Sequence, residues 1–364
     1  MVAFFFVKSL FIAYLDIEKR GAYGKMKIAV LFGGQSSEYE VSLASSYSVL
    51  LEIDKEKYDV IKIGITKNGK WYLYEGDISL ILNDTWHKSE AKKELIIDIN
   101  RGAFMSEGKP LKIDKILPVL HGEYGEDGRY ASIFDTLNVD FVGPNFFSGA
   151  ITMDKDVSKL VAKREGIPVS NWTVLFKEDL KNMKKTYRQV EKIGYPVFVK
   201  PSRAGSSVGV SRVDLSKDLP NALQRAFSVS DKVLVEEKID GQESEISLIS
   251  INGRLITSTV GQIEYDSEFY DYKTKYHSAN VKYIIPAKMT KKSEALIKKY
   301  AKRLFSSLEI KGFCRMDFFI KENGEVIFNE VNALPGFTGI SMFPKLLMHD
   351  GYTFKDIINY ILNI

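Results

Sequence analysis

The sequence predicts an α/β protein of more than one domain, and three observations carry that prediction. Strand-like and helix-like hydrophobic periods alternate from Met26 to the C-terminus. A chain of 364 residues is long enough for two or three domains with their own cores. Two pairs of apolar runs are joined by Asn-Gly, at Asn252-Gly253 and Asn323-Gly324, the dipeptide that most favours a tight hairpin turn.

Residues 1–25 begin apolar, yet they lack the basic start of a signal peptide, and Lys8 and Asp16 interrupt the run well short of a membrane span. Met26 directly precedes a strong strand, KIAVLFGG, so residues 1–25 are expected to be an extension outside the fold. The block 26–148 continues with a helix over SSEYEVSLASSYSVLLEI, for which Ser36 or Ser37 is the expected N-cap. Strands YDVIKIGIT, KILPVLHG and VDFVG, with a helix at GRYASIFDTL, complete that block. The block 149–240 is expected to hold helices at DKDVSKLVAKREG and KEDLKNMKKTYRQVEKIG, then strands YPVFVK, SVGVSRV and KVLVEEKI. The block 241–364 opens with the hairpin SEISLISINGRLITSTV and passes through an aromatic stretch at 264–280. A helix KKSEALIKKYAKRLFSSL, a second hairpin and a terminal helix TFKDIINYILNI follow.

Charge and cysteine content narrow the function classes. The 51 basic residues against 47 acidic ones leave a net charge of +4, too balanced for nucleic acid or an anionic membrane as the main partner. The only cysteine, Cys314, can form no internal disulfide, which fits a reducing, cytoplasmic compartment.

Two stretches carry chemistry. In YPVFVKPSRAGSSVGVSRV, Lys200 ends a strand and the small polar loop 203–207 follows it. A P-loop places its lysine after the glycines and a helix next; here the lysine comes first and a β-type run follows. The pattern suits a β-loop-β clamp that offers a cation, backbone N–H groups and the hydroxyls of Ser206 and Ser207 to phosphate oxygens.

The second stretch is the hairpin GFCRMDFFIKENGEVIFNEVN, residues 312–332. With Asn323-Gly324 as the centre of a type I′ turn, Glu322 faces Glu325, Asp317 lies opposite Glu330, and Arg315 opposite Asn332. All four then share one face, and facing carboxylates repel unless something neutralises them. The flanking residues, Phe313, Phe318, Val326 and Phe328 among them, are too apolar for a solvated edge. The polar face therefore reads as the floor of a site. Two carboxylates and an amide select a hard cation, Mg²⁺ or Mn²⁺, of the kind held together with nucleotide phosphates. Arg315 on that face is placed to stabilise an oxyanion.

With these residues in view, the chain from 26 to 364 resembles the D-alanine–D-alanine ligases of the ATP-grasp superfamily. The resemblance rests on GGQSSEYEVSL (33–43), HGEYGEDG (121–128), MDK (153–155), KPSRAGSSVG (200–209), YDYKTKY (270–276), RMD (315–317) and NEVNALPGFTGIS (329–341), in family order. It implies an ATP-grasp fold of three domains: a Rossmann-like α/β substrate domain at 26–148, a central subdomain with the phosphate loop at 149–240, and a C-terminal subdomain with a lid loop and the metal hairpin at 241–364. It implies ATP-driven joining of two D-alanines through a D-alanyl phosphate for peptidoglycan precursors, with ATP and two Mg²⁺ or Mn²⁺ ions, in a homodimer.

Residue by residue, the resemblance assigns Glu38 to the ammonium group of the first D-alanine and His121 to its surroundings. Lys155, Lys200 and Lys275 fall to ATP and its phosphates, Glu236, Glu237 and Ile239 to the adenine hinge, and Glu243 to the ribose. Ser206, Tyr276 and Glu38 form the trio that shuts the lid. Arg315 and the backbone of Gly336 fall to the oxyanion; Asp317, Glu330 and Asn332 to the metal; Ser341 and Met342 to the second substrate. Ala131 and Ser132 stand where the family usually shows Gln-Gly, so a D-alanine–D-serine or other D-amino-acid dipeptide ligase remains an alternative. An ATP-binding regulatory module without ligase activity is a more distant one. Tyr276 argues against an ester product, because the ligases that make the D-lactate ester lack it.

Overall fold

The computed structural model describes residues 24–264 and 282–364. Lys275, Tyr276 and nearly all of the expected lid lie outside the described residues, as does almost the whole expected N-terminal extension.

The first sheet is built on Met26–Gly33 (β1), whose Ile28–Phe32 run is fully buried. Tyr39–Glu52 (α1) follows, then Tyr58–Ile65 (β2), Trp71–Tyr74 (β3), Lys92–Asp98 (β4), Ala103–Ser106 (β5), Lys109–Pro110 (β6) and Lys115–Pro118 (β7). Arg129–Thr136 (α2) and Asp140–Phe141 (β8) complete it, in the order β6-β5-β4-β3-β2-β1-β7-β8. The strands β2, β1, β7 and β8 run parallel, as the βαβ pattern predicts. The antiparallel extension β3–β6 was not predicted, because its strands are short and interleaved with lysines. Neither Ser36 nor Ser37 caps α1. Glu38 occupies the N-cap position without a side-chain cap, and the Ser36 hydroxyl instead accepts the Glu38 backbone N–H at 3.0 Å. The serine thus shapes the turn that aims Glu38.

Phe146–Met153 (α3) and Lys155–Arg164 (α4) lead into Trp172–Phe176 (β9), Met183–Glu191 (α5), Val197–Pro201 (β10), Ser211–Val213 (β11), Leu219–Phe227 (α6) and Lys232–Glu237 (β12). The four strands form an antiparallel sheet in the order β11-β10-β12-β9. Val197, Val199, Val233 and Val235 pack one face against Leu223 and Ala226 of α6, leaving Phe198, Lys200 and Glu236 for the other. The strand expected at 207–213 is only β11. Ser206, Ser207 and Gly209 have φ of 48°, 57° and 74°, and left-handed backbone cannot continue a pleat. The single helix expected over 177–194 is a 3₁₀ segment at Lys177–Asn182 and then α5, with Asn182 accepting the Lys185 N–H to start the new helix.

The third sheet joins Gln242–Ile251 (β13), Arg254–Thr257 (β14), Gly261–Glu264 (β15), Lys282–Ile284 (β16), Phe313–Ile320 (β17) and Val326–Asn332 (β18). Its path is β16-β15-β13-β17-β18, with β14 on β13. Lys291–Ser307 (α7), Met342–His349 (α8) and Phe354–Leu362 (α9) cover it. Phe343, Leu347, Ile357 and Ile361 of the last two helices share one core with Phe32 of β1, Val49 of α1 and Trp86 of a short 3₁₀ turn. Among the described residues no helix is long and apolar enough to cross a membrane.

The first Asn-Gly turn forms as expected, with φ of 50° and 75° and Ile251 opposite Arg254. The second does not. Lys321 N–H donates to the Glu325 carbonyl at 3.0 Å, only Gly324 is left-handed, and Ile320 faces Val326, so the turn has three residues rather than two. That shifts the register by one. A bulge between Asp317 and Phe318 then takes up Asn329 as an extra residue, and Asp317 faces Glu330, and Arg315 Asn332, after all. The bulge answers a conflict of faces. Val326, Phe328, Glu330 and Asn332 are all two apart, yet the first two belong in the core and the last two over the cleft.

Candidate active site

The cleft between the second and third sheets holds a cavity of about 330 Å³, lined by Glu38, Lys155, Lys159, Lys200, Ser206, Ser207, Glu236, Glu237, Ile239, Glu243, Arg315, Asp317, Glu330 and Asn332. Most of the residues singled out in the sequence therefore meet in one place.

On the floor, the buried Arg315 guanidinium donates from Nε and Nη2 to both oxygens of Asp317, at 2.8 Å each. Glu245 Oε2, from β13, lies 3.0 Å from the same Nε. Burial alone would lower the Arg315 pKa, but Asp317 and Glu245 hold it well above its ordinary value. Asn332 Nδ2 donates to Asp317 Oδ2 at 3.0 Å. Glu330 pairs with Lys155 Nζ at 3.1 Å. Burial alone would raise the Glu330 carboxyl, yet Lys155 and Lys200 bring it down to about 2. Arg315 and Lys155 thus each lie against one of the two facing acids and offset its charge. The donor set itself, two carboxylates and an amide, still fits a hard cation. Among the described residues no three His, Cys, Asp or Glu side chains gather as a metal cluster, so phosphate oxygens would have to supply further donors.

The opposite wall carries the phosphate loop. Asp154, buried at the start of α4, accepts from Ser202 Oγ (2.7 Å), Arg203 Nε (2.9 Å) and Lys232 Nζ (3.0 Å), which fixes the base of the loop. Lys155 Nζ donates to the Ala204 carbonyl at 2.8 Å. Ser206 Oγ donates to Glu38 Oε1, and a Cβ at Gly205 would press on the same carboxylate, so a larger residue there would displace Glu38. Two members of the expected trio are in contact; the third, Tyr276, lies outside the described residues.

The hinge differs in detail from expectation. The Glu236 carboxylate points into the cleft and is paired with Lys200 and, at 3.0 Å, with Lys159. Glu237 turns away, accepting from Asn171 N and Nδ2 at 2.8 and 3.0 Å. Ile239 and Glu243 line the cavity beyond them.

On the substrate side, His121 Nδ1–H donates to the Leu334 carbonyl at 2.8 Å, and Nε2 accepts from Ser45 Oγ at 3.0 Å. Ser45 Oγ also accepts the Phe337 N–H at 3.1 Å. His121 is therefore a brace that holds the Gly336 loop, with both ring nitrogens engaged. Ser341 Oγ meets Thr338 N and Oγ1 at 3.0 and 2.8 Å, shaping the same loop. The Met342 side chain is buried against Ile263 and Leu346.

Sequence reasoning missed Ser45, Asp154, Lys159, Ser170 and Glu245. The signals were local: Lys159 follows Lys155 by one helical turn, and Glu245 follows Glu243 on one strand face.

The N-terminal model of the D-ala D-ala ligase family matches residues 27–144, and the C-terminal model matches residues 161–363. The chain is 38% identical over 350 residues to the D-alanine--D-alanine ligase of Thermoanaerobacter sp. (strain X514), covering 93% of this chain and 96% of that one. It is 40% identical over 348 residues to the D-alanine--D-alanine ligase of Caldicellulosiruptor bescii, covering 93% and 95%. Among solved structures, the VanG D-Ala:D-Ser ligase from Enterococcus faecalis superposes with a TM-score of 0.85 at 36% identity, over 93% of this chain and 99% of that one. The D-alanine-D-alanine ligase from Coxiella burnetii gives 0.82 at 29%, over 94% of each. The chain belongs to the D-alanine–D-alanine ligase family, ATP-dependent ligases of the ATP-grasp fold.

Proposed function

We propose that this chain joins two D-alanines into D-alanyl-D-alanine, releasing ADP and phosphate, as a step in peptidoglycan precursor synthesis. The observation that carries the reading is the single cleft in which Arg315, Asp317, Glu330 and Asn332 face Lys155, Lys200 and the loop 202–207.

A carboxylate is a poor electrophile, so it must first be phosphorylated, and catalysis of that transfer is mainly positioning and charge stabilisation. Lys155, Lys200, Lys275 and the backbone and hydroxyls of Ser206 and Ser207 hold the phosphates. Glu236 to Ile239 seat the base by their backbone, and Glu243 the ribose. Glu38 takes the ammonium group of the first D-alanine, within the wall that His121 braces. Asp317, Glu330 and Asn332 would hold Mg²⁺ or Mn²⁺, which would neutralise charge on the phosphates. Arg315 and the backbone at Gly336 stabilise the oxyanion formed when the second amine attacks the acyl phosphate. Ser341 and the Met342 backbone shape the second pocket. Water must be kept from the acyl phosphate, a task we assign to Tyr276 and its stretch together with the Glu38–Ser206 contact.

We read the three sheets as three domains, at 26–148, 149–240 and 241–364, in a cytoplasmic homodimer. A second reading, D-alanine–D-serine ligation, is favoured by the likeness to the Enterococcus faecalis VanG structure. The test is phosphate release from purified protein with ATP, Mg²⁺ and a panel of D-amino and D-hydroxy acids, with products identified by mass. D-Alanyl-D-alanine as the main product is expected. A preference for D-serine as the second substrate would select the other reading. ATP binding without phosphate release on any D-amino acid would replace both with a regulatory module.

A further inference from the structure

Lys159 is the most deeply buried basic side chain among the described residues, 2% exposed, and the mechanism above gives it no task. It sits one turn after Lys155 on α4, so both ammonium groups leave the same helix face toward the cleft. Lys159 Nζ lies 3.0 Å from Glu236 Oε2 and donates to Ser170 Oγ at 3.0 Å. Ser170 Oγ in turn donates to Glu236 Oε2 at 3.0 Å. The three groups close a buried triangle on one carboxylate oxygen, and the other oxygen carries Lys200.

The two lysines are not equivalent. Both line the cavity, but the Lys159 side chain is only 2% exposed and engaged by both Glu236 and Ser170, whereas the Lys200 side chain is 16% exposed. A nucleotide phosphate competes with Glu236 for Lys200. If Lys200 moves to the phosphate, a buried carboxylate loses a partner, and a buried charge left uncompensated is strongly unfavourable. Burial would raise the Glu236 carboxyl, but beside the two lysines it is held far below the ordinary carboxylate range and is ionised.

We propose that Lys159, helped by Ser170, is a standing counter-charge that keeps Glu236 compensated while Lys200 is lent to the nucleotide phosphates. Lys159 is thus a positioning residue that raises ATP affinity without touching ATP. The proposal rests on the reading of Lys200 as a phosphate ligand.

The test is the dissociation constant of Mg·ADP, measured by titration calorimetry on the full chain, in two double-mutant cycles. K159M is expected to weaken ADP by about tenfold, the scale of coupling between buried neighbours. In an E236Q background, where no carboxylate is left to detain Lys200, K159M should change ADP binding by less than about twofold. In a K200M background it should again have no effect. A loss of equal size in the E236Q background would overturn the proposal, because Lys159 would then act on the nucleotide directly or on the fold at large. No loss in K159M alone would overturn it as well. K200M that binds ADP as well as the wild type would sink the Lys200 reading, and the inference with it, and this outcome is visible separately from the other two. If thermal melts show K159M unfolded, S170A decides in its place. A loss of about threefold that disappears with E236Q supports the proposal, and no loss overturns it.

Discussion

Arg315 is gripped on two sides by acids, Asp317 within its own strand and Glu245 from the next, so its charge and its aim are both fixed. Replacing it with alanine is expected to lower kcat by about 100-fold or more while leaving the KM for ATP within about threefold, as read by phosphate release. Lysine should rescue poorly, because a single ammonium point cannot reproduce the forked contact. Asp154 gives a stability prediction. Burial would raise its carboxyl, but Ser202, Lys232 and Arg203 lower it from the ordinary 3.8. A depressed acid stabilises the folded state fully above its unfolded value and ceases to as pH falls through its folded one. Urea unfolding of the wild type should therefore show stability falling below pH 3.8. Asp154→Asn should cost about 3–5 kcal/mol at pH 7 and flatten that acid limb. At this scale the sequence was readable where chemistry and local spacing coincide, as with Arg315, Asp317, Glu330 and Asn332. Lys159 and Ser45 were opaque because their meaning lies in partners such as Glu236 and the Phe337 N–H, which only the folded chain brings near.

The most consequential element is β18, whose first half faces the core and second half the cleft. Asn329 is the residue that reconciles them. Inserting one alanine between Asn329 and Glu330 is expected to send Glu330 and Asn332 to the wrong side, with activity down by more than about 100-fold and stability lowered by several kcal/mol. Deleting Asn329 leaves Phe328 inward and Glu330 outward by simple alternation, so it should be far milder in both assays. A deletion as damaging as the insertion would show that the bulge matters for its bend and not for its parity. The hairpin illustrates how a correct pairing was reached through an incorrect turn. Asn-Gly marked the reversal, but the choice of a three-residue loop and a compensating bulge is made by the burial of Val326 and Phe328. The parallel strands β1, β2, β7 and β8 were legible as apolar runs. The antiparallel β3–β6 were not, since half-exposed short strands carry little periodic signal.

Across the whole molecule, the C-terminal helices fasten the first sheet to the third. Ile357, Ile358, Ile361 and Leu362 of α9 are all buried, and Lys115 Nζ of β7 donates to the Leu362 and Ile364 carbonyls at 3.1 and 2.9 Å. Removing residues 353–364 deletes no cleft residue, yet should lower Tm by about 10 °C or more and abolish ligation, because the sheet that carries Glu38 and His121 loses its seat. Calorimetry and the phosphate assay check this together. An active, undiminished truncation would show that the two sheets hold their relation by the cleft contacts alone.

Among those contacts, the Lys155 ammonium spans the gap between a backbone carbonyl on one bank, Ala204, and an acid on the other, Glu330. Prying the banks apart therefore leaves the Glu330 carboxylate without this partner. Mechanical opening and charge compensation are thus tied in a single side chain.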